Sequence, residues 1–174
     1  MRPEFRKHGS ENDPMTCLIG EMERAIETIE AVDDLSFVRS TNTGSLGQQF
    51  RHDLDFVVSL LKGIAVGRID YNDRERATRI ETDRRTACAM YREVIGQLEA
   101  IDRCDLLKSV TVRSELDPDQ WLPSCVGREI DFVHSHTVHH HALIAEKLRT
   151  LGIKVSADLG LAPSTKRFRS AEAA

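Results

Sequence analysis

The chain has 174 residues, of which 40% are hydrophobic, 30% charged and only 5% aromatic, with a formal net charge of −4. This length favours one domain with its own core, and the composition is more typical of a helix-rich protein than of a β-sandwich. Basic and acidic residues are mixed along the chain, which argues against nucleic-acid binding. No apolar run approaches the roughly 20 residues that would argue for a membrane span.

The first residues and the cysteines indicate a cytoplasmic protein. Residues 1–13 are polar and charged, and we interpret them as a tail, because they lack the apolar segment of a secretory signal. The four cysteines are widely scattered and form no C-x-x-C pair. We therefore expect reduced thiols rather than a disulfide framework or a cysteine metal site.

Two amphipathic helices are predicted in the first half of the chain. The first covers residues 15–32, with Asp13 as the N-cap and Pro14 in the first turn. Residues 33–44 contain a cluster of Ser, Thr and Asn and are predicted to be a loop. The second helix is predicted over residues 45–66, with a serine able to cap its start.

A charged, irregular connection then leads to a third predicted helix over about 83–101. The segment that follows alternates between apolar and polar residues, which predicts a short strand or hairpin. Val110 and Val112, with Leu116 as a further candidate, are expected to face one side of it.

The fourth predicted helix starts at about residue 125 and ends before Gly152. We therefore divide the chain into a polar tail over 1–13, a helical domain over 14–152 and an extended tail over 153–174. Four amphipathic helices with long connections and one small β excursion predict an all-α protein built as a four-helix bundle.

Five of the seven histidines lie within residues 134–141, on the fourth helix. His136 and His140 are four residues apart, so they share one face of the helix, in line with Val133 and Ile144. Burying two imidazoles is costly unless their ring nitrogens are satisfied, and a divalent metal ion can satisfy both. The sequence therefore predicts a metal site at this pair.

The remaining histidines of this helix are given other roles. His139 could replace His140 as a ligand, but it points about 60° away from the stripe. We expect it beside the site, facing the substrate. His134 and His141 point elsewhere and are predicted to face solvent or to pack against a loop.

A catalytic metal ion needs a third protein ligand and an open position. His52 on the second helix is one candidate, although it lies off the centre of that helix's apolar stripe, and Asp53 and Asp55 are alternatives. Glu129 lies two turns before His136 and points along the same stripe. It could orient an imidazole, bind the metal or act as a general base. Spacing alone leaves this choice open.

Two segments resemble the DinB-like (DinB/YfiT) superfamily. The stretch GSLGQQFRHDLDFV of this chain resembles the superfamily's second-helix segment. The stretch REIDFVHSHTVHHHALI resembles its fourth-helix segment. A subgroup of uncharacterised DinB-like proteins is similar to IDYNDRERATRIETD and to DLGLAPSTKRF, so the resemblance covers most of residues 15–168. It implies a four-helix bundle with long crossover connections and a metal site made by three histidines.

By this resemblance the metal ligands are His52, His136 and His140, with Glu129 or His139 as the acid/base residue. The chain departs from the superfamily at two positions. Many relatives have an arginine where this chain has His141. Close relatives often have a histidine where this chain has Gln49. Neither departure removes a ligand, but the first alters the contacts expected on the substrate side.

The resemblance also implies a function. Histidine ligands suit zinc and nickel best, and iron or manganese as well. The superfamily implies a homodimer and a metal-dependent enzyme, either a thiol-dependent transferase or a hydrolase, that acts on a small molecule. The composition and the first residues predict a cytoplasmic protein that binds neither nucleic acid nor membranes. The alternative is a non-catalytic, stress-associated bundle whose metal is structural or vestigial. A fourth protein ligand would favour this alternative, because structural zinc sites are usually closed by four.

Overall fold

A computed structural model describes residues 13–42, 44–73 and 78–172 of the chain, and these parts are mostly helical. Their helices are α1 (Pro14–Glu30), α2 (Asp34–Val38), α3 (Leu46–Val66), α4 (Arg84–Glu99), α5 (Val126–Thr150) and α6 (Pro163–Glu172). Their strands are β1 (Arg68–Ile69), β2 (Ser109–Arg113) and β3 (Trp121–Cys125), and single 3-10 turns cover Arg79–Glu81 and Arg103–Leu107. None of the described helices is long and apolar enough to cross a membrane.

The helix ends follow from local capping. The Asp13 carboxylate accepts a hydrogen bond from the Thr16 amide over 3.1 Å, which confirms the predicted cap of α1. Ser45 and Gln48 form a reciprocal capping box at the start of α3. Gly67 ends α3 with a φ of 76°, a left-handed conformation that a residue with a Cβ rarely adopts.

The four long helices form the predicted bundle. Helix α1 and helix α3 both pack against α4 and α5, so α1 lies diagonally across the bundle from α3, and α4 lies diagonally from α5. Two of the three connections between consecutive bundle helices must therefore cross an end of the bundle. This topology explains why residues 31–45 and 100–125 are long connections rather than tight turns.

The bundle core is formed by the apolar stripes of these helices. Its largest fully buried side chains are Tyr91, Phe37, Phe50, Leu18, Met22, Ile29, Leu46, Leu54, Leu60, Ile69, Leu98 and Ile130. At roughly 25 cal/mol per Å² of apolar surface removed from water, burial on this scale is the main stabilising contribution to the fold.

A small sheet covers one end of the bundle. Strand β2 lies at its centre, parallel to β1 and antiparallel to β3, so the predicted strand or hairpin is present. Val110 is buried and Val112 is half-buried, as expected, but Leu116 is 98% exposed and lies beyond the strand. Strand β3 contains Pro123, and a proline is tolerated there because β3 is an edge strand.

Two helices lie where none was predicted. Helix α2 interrupts the predicted loop over 33–44; one helical turn is too short to show a periodicity, and Phe37 anchors it by stacking on Phe50 with ring centroids 6.1 Å apart. The extended tail expected over 153–174 is also wrong in part, because it contains α6.

The segment before α6 approaches α5 closely. Gly160 has a φ of 72°, and a Cβ at this position would lie 2.1 Å from the Ala142 amide nitrogen. Of the predicted polar tail over 1–13, all but Asp13 lies outside the described residues. The division into a tail, a domain and a second tail stays a prediction.

Candidate metal centre

Three histidines from two helices meet on one face of the bundle. The ring centroids of His136 and His140 are 4.4 Å apart. The ring centroid of His52 lies 4.5 Å from that of His140 and 5.4 Å from that of His136. Each ring offers a nitrogen, and these three nitrogens all lie within 4.8 Å of one another. Metal–nitrogen bonds of about 2.0–2.1 Å place two ligand nitrogens at most about 4.2 Å apart, so the three rings could hold one ion with small side-chain adjustments. The predicted triad is therefore brought together.

Antiparallel packing of α3 on α5 places His52 beside the pair. Along α3, Gln49 lies next to His140, whereas Phe56, two turns later, stacks on His136 with centroids 3.6 Å apart. His52 lies between these two contacts. Its position off the centre of the apolar stripe puts it at the half-buried edge of the helix, where a site can open to solvent.

The two carboxylates that competed with His52 as third ligand point elsewhere. Asp55 forms an ion pair with Arg51, with 2.5 Å between its Oδ2 and the arginine Nη1. Asp53 is completely buried and faces the core. Within the described residues, the group of potential metal ligands contains the three histidines alone.

Gln49 orients one of the imidazoles. Its Oε1 lies 3.1 Å from Nδ1 of His140, so Nδ1–H donates to the amide oxygen and Nε2 carries the free lone pair that a metal needs. Burial, together with the neighbouring His136 and His52, lowers the pKa of His140 to about 3. This ring is therefore neutral at physiological pH, as a ligand must be.

The structure places Glu129 at the sheet end of the same face. Its buried carboxylate accepts hydrogen bonds from the hydroxyls of Tyr71 (3.0 Å) and Ser124 (2.5 Å) and from Nη1 of Arg128 (3.2 Å). Burial and the charge of Glu129 raise the pKa of Tyr71 well above its ordinary value, so its proton stays on the phenol. In the described chain these three side chains, and no imidazole, are the hydrogen-bond partners of Glu129.

An aromatic wall joins Glu129 to the histidines. Phe56 stacks on both His136 and Tyr71, and Phe132 lies 5.4 Å from Tyr71 between centroids. Behind this wall is a cavity of about 370 Å³, within the range of small-molecule sites. Its lining combines aromatic and apolar side chains with two arginines and two glutamates: Phe56, Tyr71, Val112, Arg113, Ser114, Glu115, Leu122, Pro123, Ser124, Arg128, Glu129 and Phe132.

The other three histidines of α5 differ in their surroundings. His139 is exposed, and its ring centroid lies 5.5 Å from that of His140, so it borders the site as predicted. His134 is 6% exposed and His141 is completely buried. The prediction that both face solvent is therefore wrong. His141 does not pack against a loop either, because its Nδ1 lies 2.9 Å from Oε2 of Glu21 in the bundle core.

Sequence reasoning missed the acidic residues around His141. Burial alone would raise the pKa of Glu21, but the hydrogen bond and charge of His141 lower it below the ordinary value. Burial raises the pKa of Asp53. The sequence carried a signal for the burial of these two carboxylates. Glu21 follows Leu18 by three residues on the apolar stripe of α1, and Asp53 follows Phe50 by three residues on the apolar stripe of α3.

No protein-family model matches the chain. Among curated proteins it is similar to "FK506-binding protein 5" of Rhizopus delemar, with 27% identity over 151 residues. The match covers 84% of this chain but 36% of that protein, so the chain spans about a third of the length of this relative.

The fold is similar to that of YfiT from Bacillus subtilis, a solved structure described as a probable metal-dependent hydrolase with an unusual four-helix bundle topology. The TM-score is 0.64 with 15% sequence identity, and the match covers 87% of this chain and 94% of YfiT. At this identity the likeness shows the fold. It confirms the four-helix bundle that the sequence predicted.

Proposed function

We propose that this chain is a metal-dependent hydrolase that holds one divalent ion through His52, His136 and His140. The observation that carries the proposal is the convergence of three imidazole nitrogens within 4.8 Å of one another from two helices. Imidazole donors suit zinc or nickel best, and iron or manganese as well. The shared fold with YfiT supports the same reading.

The number of ligands favours catalysis over a structural role. Structural zinc sites are usually closed by four protein ligands, whereas catalytic sites have three and an open position. Within the described residues no fourth histidine, cysteine, aspartate or glutamate joins the triad. This supports an enzyme rather than a non-catalytic bundle with a structural or vestigial metal.

When bound, a divalent ion supplies a Lewis acid that activates a water or a thiol for attack on an electrophile. The chain's own residues prepare the site for this chemistry. Gln49 orients His140, and the stack of Phe56 on His136 shields one side of the triad from water. His139, exposed at the rim, is positioned to exchange a proton with solvent.

The cavity behind the aromatic wall, which Phe56 separates from the three histidines, has the size for the body of a small organic substrate. Its charged groups balance, with Arg113 and Arg128 against Glu115 and Glu129, so it does not select a strongly charged molecule. The aromatic wall favours an apolar or aromatic group. A thiol-dependent transfer would use the same triad with a thiol in place of water, and a substrate assay distinguishes the two.

The experiment that tests the metal site is a metal analysis of untagged protein. We expect about one divalent ion per chain in the wild type, and none in His136→Ala and His140→Ala, with the helical circular dichroism retained. His139→Ala, which removes an exposed neighbouring histidine, is the matched control and should keep its metal. A wild-type protein that holds no stoichiometric metal after reloading with zinc, nickel and manganese would contradict the proposal.

The reaction is tested with the metal-loaded protein on a panel of esters and amides, and on electrophiles with and without added thiol. Turnover without a thiol supports hydrolysis, and an absolute thiol requirement assigns a transferase instead. If Glu129 or His139 is the acid/base residue, Glu129→Gln or His139→Ala should lower kcat by roughly 10²–10⁴ with the metal content unchanged. The absence of any metal-dependent turnover would favour the non-catalytic alternative.

The assembly and location of the protein are also proposals. We expect a homodimer, located in the cytoplasm, that binds neither nucleic acid nor membranes. Size-exclusion chromatography with light scattering checks the dimer, since it should give about twice the 19.6 kDa mass of one chain. A mass of one chain at micromolar concentration would contradict it.

A further inference from the structure

A buried polar cluster lies directly behind the three histidines. Its members come from all four bundle helices: Glu21 from α1, Asp53 from α3, Tyr91 from α4, and Thr137 and His141 from α5. Each of these residues is at most 3% exposed. Buried ionisable groups are rare unless they are paired, so this cluster calls for an explanation.

Hydrogen bonds join most of the cluster. His141 Nδ1 lies 2.9 Å from Glu21 Oε2, and the Tyr91 hydroxyl donates to Asp53 Oδ2 over 2.9 Å. The other ring nitrogen of His141 lies 3.9 Å from Asp53 Oδ2, too far for a direct hydrogen bond. A gap therefore separates the two halves of the cluster.

Asp53 Oδ1, Thr137 Oγ1 and His141 Nε2 are among the buried polar atoms for which the described part of the chain supplies no direct hydrogen-bond partner of good geometry. The Thr137 hydroxyl nevertheless lies close enough to Asp53 to lower the pKa of its carboxyl. Nε2 of His141 accepts a hydrogen bond when the ring is neutral and donates one when the ring is charged. A carboxylate oxygen is an acceptor as well, and a threonine hydroxyl can donate. One water molecule can donate to Asp53 Oδ1, accept from Thr137 Oγ1 and pair with His141 Nε2 in either role, which is the usual way that buried polar groups are satisfied.

The members of the cluster are linked to the triad along the chain. Asp53 directly follows His52, Thr137 follows His136 and His141 follows His140. Successive residues on a helix point about 100° apart, so each histidine faces the triad while its successor faces the polar cluster in the core. A helix cannot rotate about its axis and misplace a histidine without also moving the buried polar group next to it.

We propose that Asp53, Thr137 and His141, bridged by one buried water and tied to α1 and α4 by Glu21 and Tyr91, form a network that positions the three histidines for metal binding. The inference rests on the proposed function. Metal ligands must be held to within about 0.5 Å, and outer-sphere partners typically contribute a factor of 10–100 to metal affinity.

Thr137→Val tests the positioning role, because it removes the hydroxyl at nearly constant volume. We expect the Kd for Zn²⁺, measured by competition with a chromophoric chelator, to rise at least roughly tenfold. The absorption spectrum of the Co²⁺ form should change as well, because it reports ligand geometry. Asp53→Asn, which keeps the side-chain shape, should weaken zinc binding in the same direction.

Ile29→Val is the matched control. Ile29 is completely buried on α1, two turns from Glu21, so the substitution lowers the stability of the core without touching the network. Its Kd for Zn²⁺ should stay within twofold of the wild type. If Thr137→Val and Asp53→Asn bind zinc as tightly as the wild type, or if Ile29→Val loses as much affinity as they do, the positioning role is overturned.

The bridging water is tested separately by a high-resolution crystal structure of the metal-free protein. Density for a water within hydrogen-bond distance of Asp53 Oδ1, Thr137 Oγ1 and His141 Nε2 is expected, and a dry gap would overturn this part of the proposal. A wild-type protein that binds no zinc would contradict the proposed function and the positioning role together. Unchanged zinc affinity in Thr137→Val and Asp53→Asn, or an equal loss of zinc affinity in Ile29→Val, contradicts the positioning role alone.

Discussion

Gln49 is a single side chain whose role depends on one contact. It accepts a hydrogen bond from His140 Nδ1 over 3.1 Å. The amide of Gln49 cannot replace an imidazole as a ligand of the metal. It can instead select the tautomer of His140 and raise the basicity of its Nε2, which a metal ligand requires.

We predict that Gln49→Leu weakens zinc binding by roughly 10–100-fold, because His140 loses the acceptor that orients it. Gln49→Glu should bind zinc at least as tightly as the wild type, since a carboxylate is a stronger acceptor. Chelator competition measures both affinities. Gln97→Leu, an exposed glutamine on α4, is the control and should leave the Kd unchanged. An unaltered Kd in Gln49→Leu would show that this hydrogen bond does not matter for the metal.

At the scale of elements, the first turn of α3 is held against the 3-10 turn Arg79–Glu81. Gly47 lies at this contact, and a Cβ there would come 2.0 Å from the Glu81 carbonyl oxygen and 2.8 Å from the Phe37 ring. Glycine is required here by close approach rather than by an unusual φ. The same helix carries His52, so this contact also helps to place the metal site.

We predict that Gly47→Ala lowers the free energy of unfolding by roughly 1–3 kcal/mol or more, because the backbone of the turn must move to accommodate a methyl group. Gly96→Ala is the matched control on α4, where an added Cβ would meet nothing within 4 Å among the described residues. It should stabilise the protein by roughly 0.5–1 kcal/mol through helix propensity. Urea denaturation measures both, and equal effects would refute the packing argument.

An ion pair joins strand β2 of the small sheet to Asp70, the residue that directly follows β1. Arg113 on β2 donates to Oδ2 of Asp70 over 2.8 Å, and the Asn72 amide donates to its Oδ1 over 2.9 Å. Burial alone would raise the pKa of Asp70, but these hydrogen bonds lower it below its ordinary value of 3.8. The stability that this carboxylate contributes is therefore present above pH 3.8 and is lost as the pH falls through the lower, folded value.

We predict that Asp70→Asn lowers the free energy of unfolding by roughly 0.5–1 kcal/mol at pH 7, the usual magnitude for a partly exposed pair. The difference from the wild type should shrink as the pH falls below 3.8. Urea denaturation at pH 7, 5 and 3 measures it. Asp105→Asn, at an exposed site, is the matched control measured at each pH. A difference that grows towards pH 3 would contradict the sign.

For the whole molecule, the triad connects two bundle helices that are separate along the chain. His52 belongs to α3 and the other two ligands belong to α5, about 84 positions further on. An ion bound there links the two helices only in the folded state. Metal binding is therefore coupled to the stability of the entire bundle.

We predict that Zn²⁺ at a free concentration of 100 times its Kd stabilises the protein by about 2.7 kcal/mol and raises the Tm by roughly 5–10 °C. Differential scanning calorimetry with and without zinc measures this shift. His136→Ala should abolish it, and His139→Ala should retain it. A shift of equal size in His136→Ala would place the stabilising ion elsewhere.

Much of the helical framework could be predicted from the sequence because helix formation depends on neighbours within about four residues. The cap at Asp13, the start of α3 at Ser45 and the end of α5 before Gly152 are all local features, and the structure has them where they were expected. The pairing of His136 with His140 is local in the same sense, since one helical turn brings them together. Helix α2 was missed because a single turn is too short to show a period.

Only the tertiary structure decided which side chains meet across helices. Spacing left His52, Asp53 and Asp55 as rivals for the third ligand, and the rotation of α3 against α5 selects His52 and turns Asp53 into the core. The same packing buries His141 against Glu21, contrary to the prediction. Periodicity determines the direction of a side chain relative to its own helix, but its partner depends on how distant helices cross, and that relation is not encoded in any short stretch of sequence.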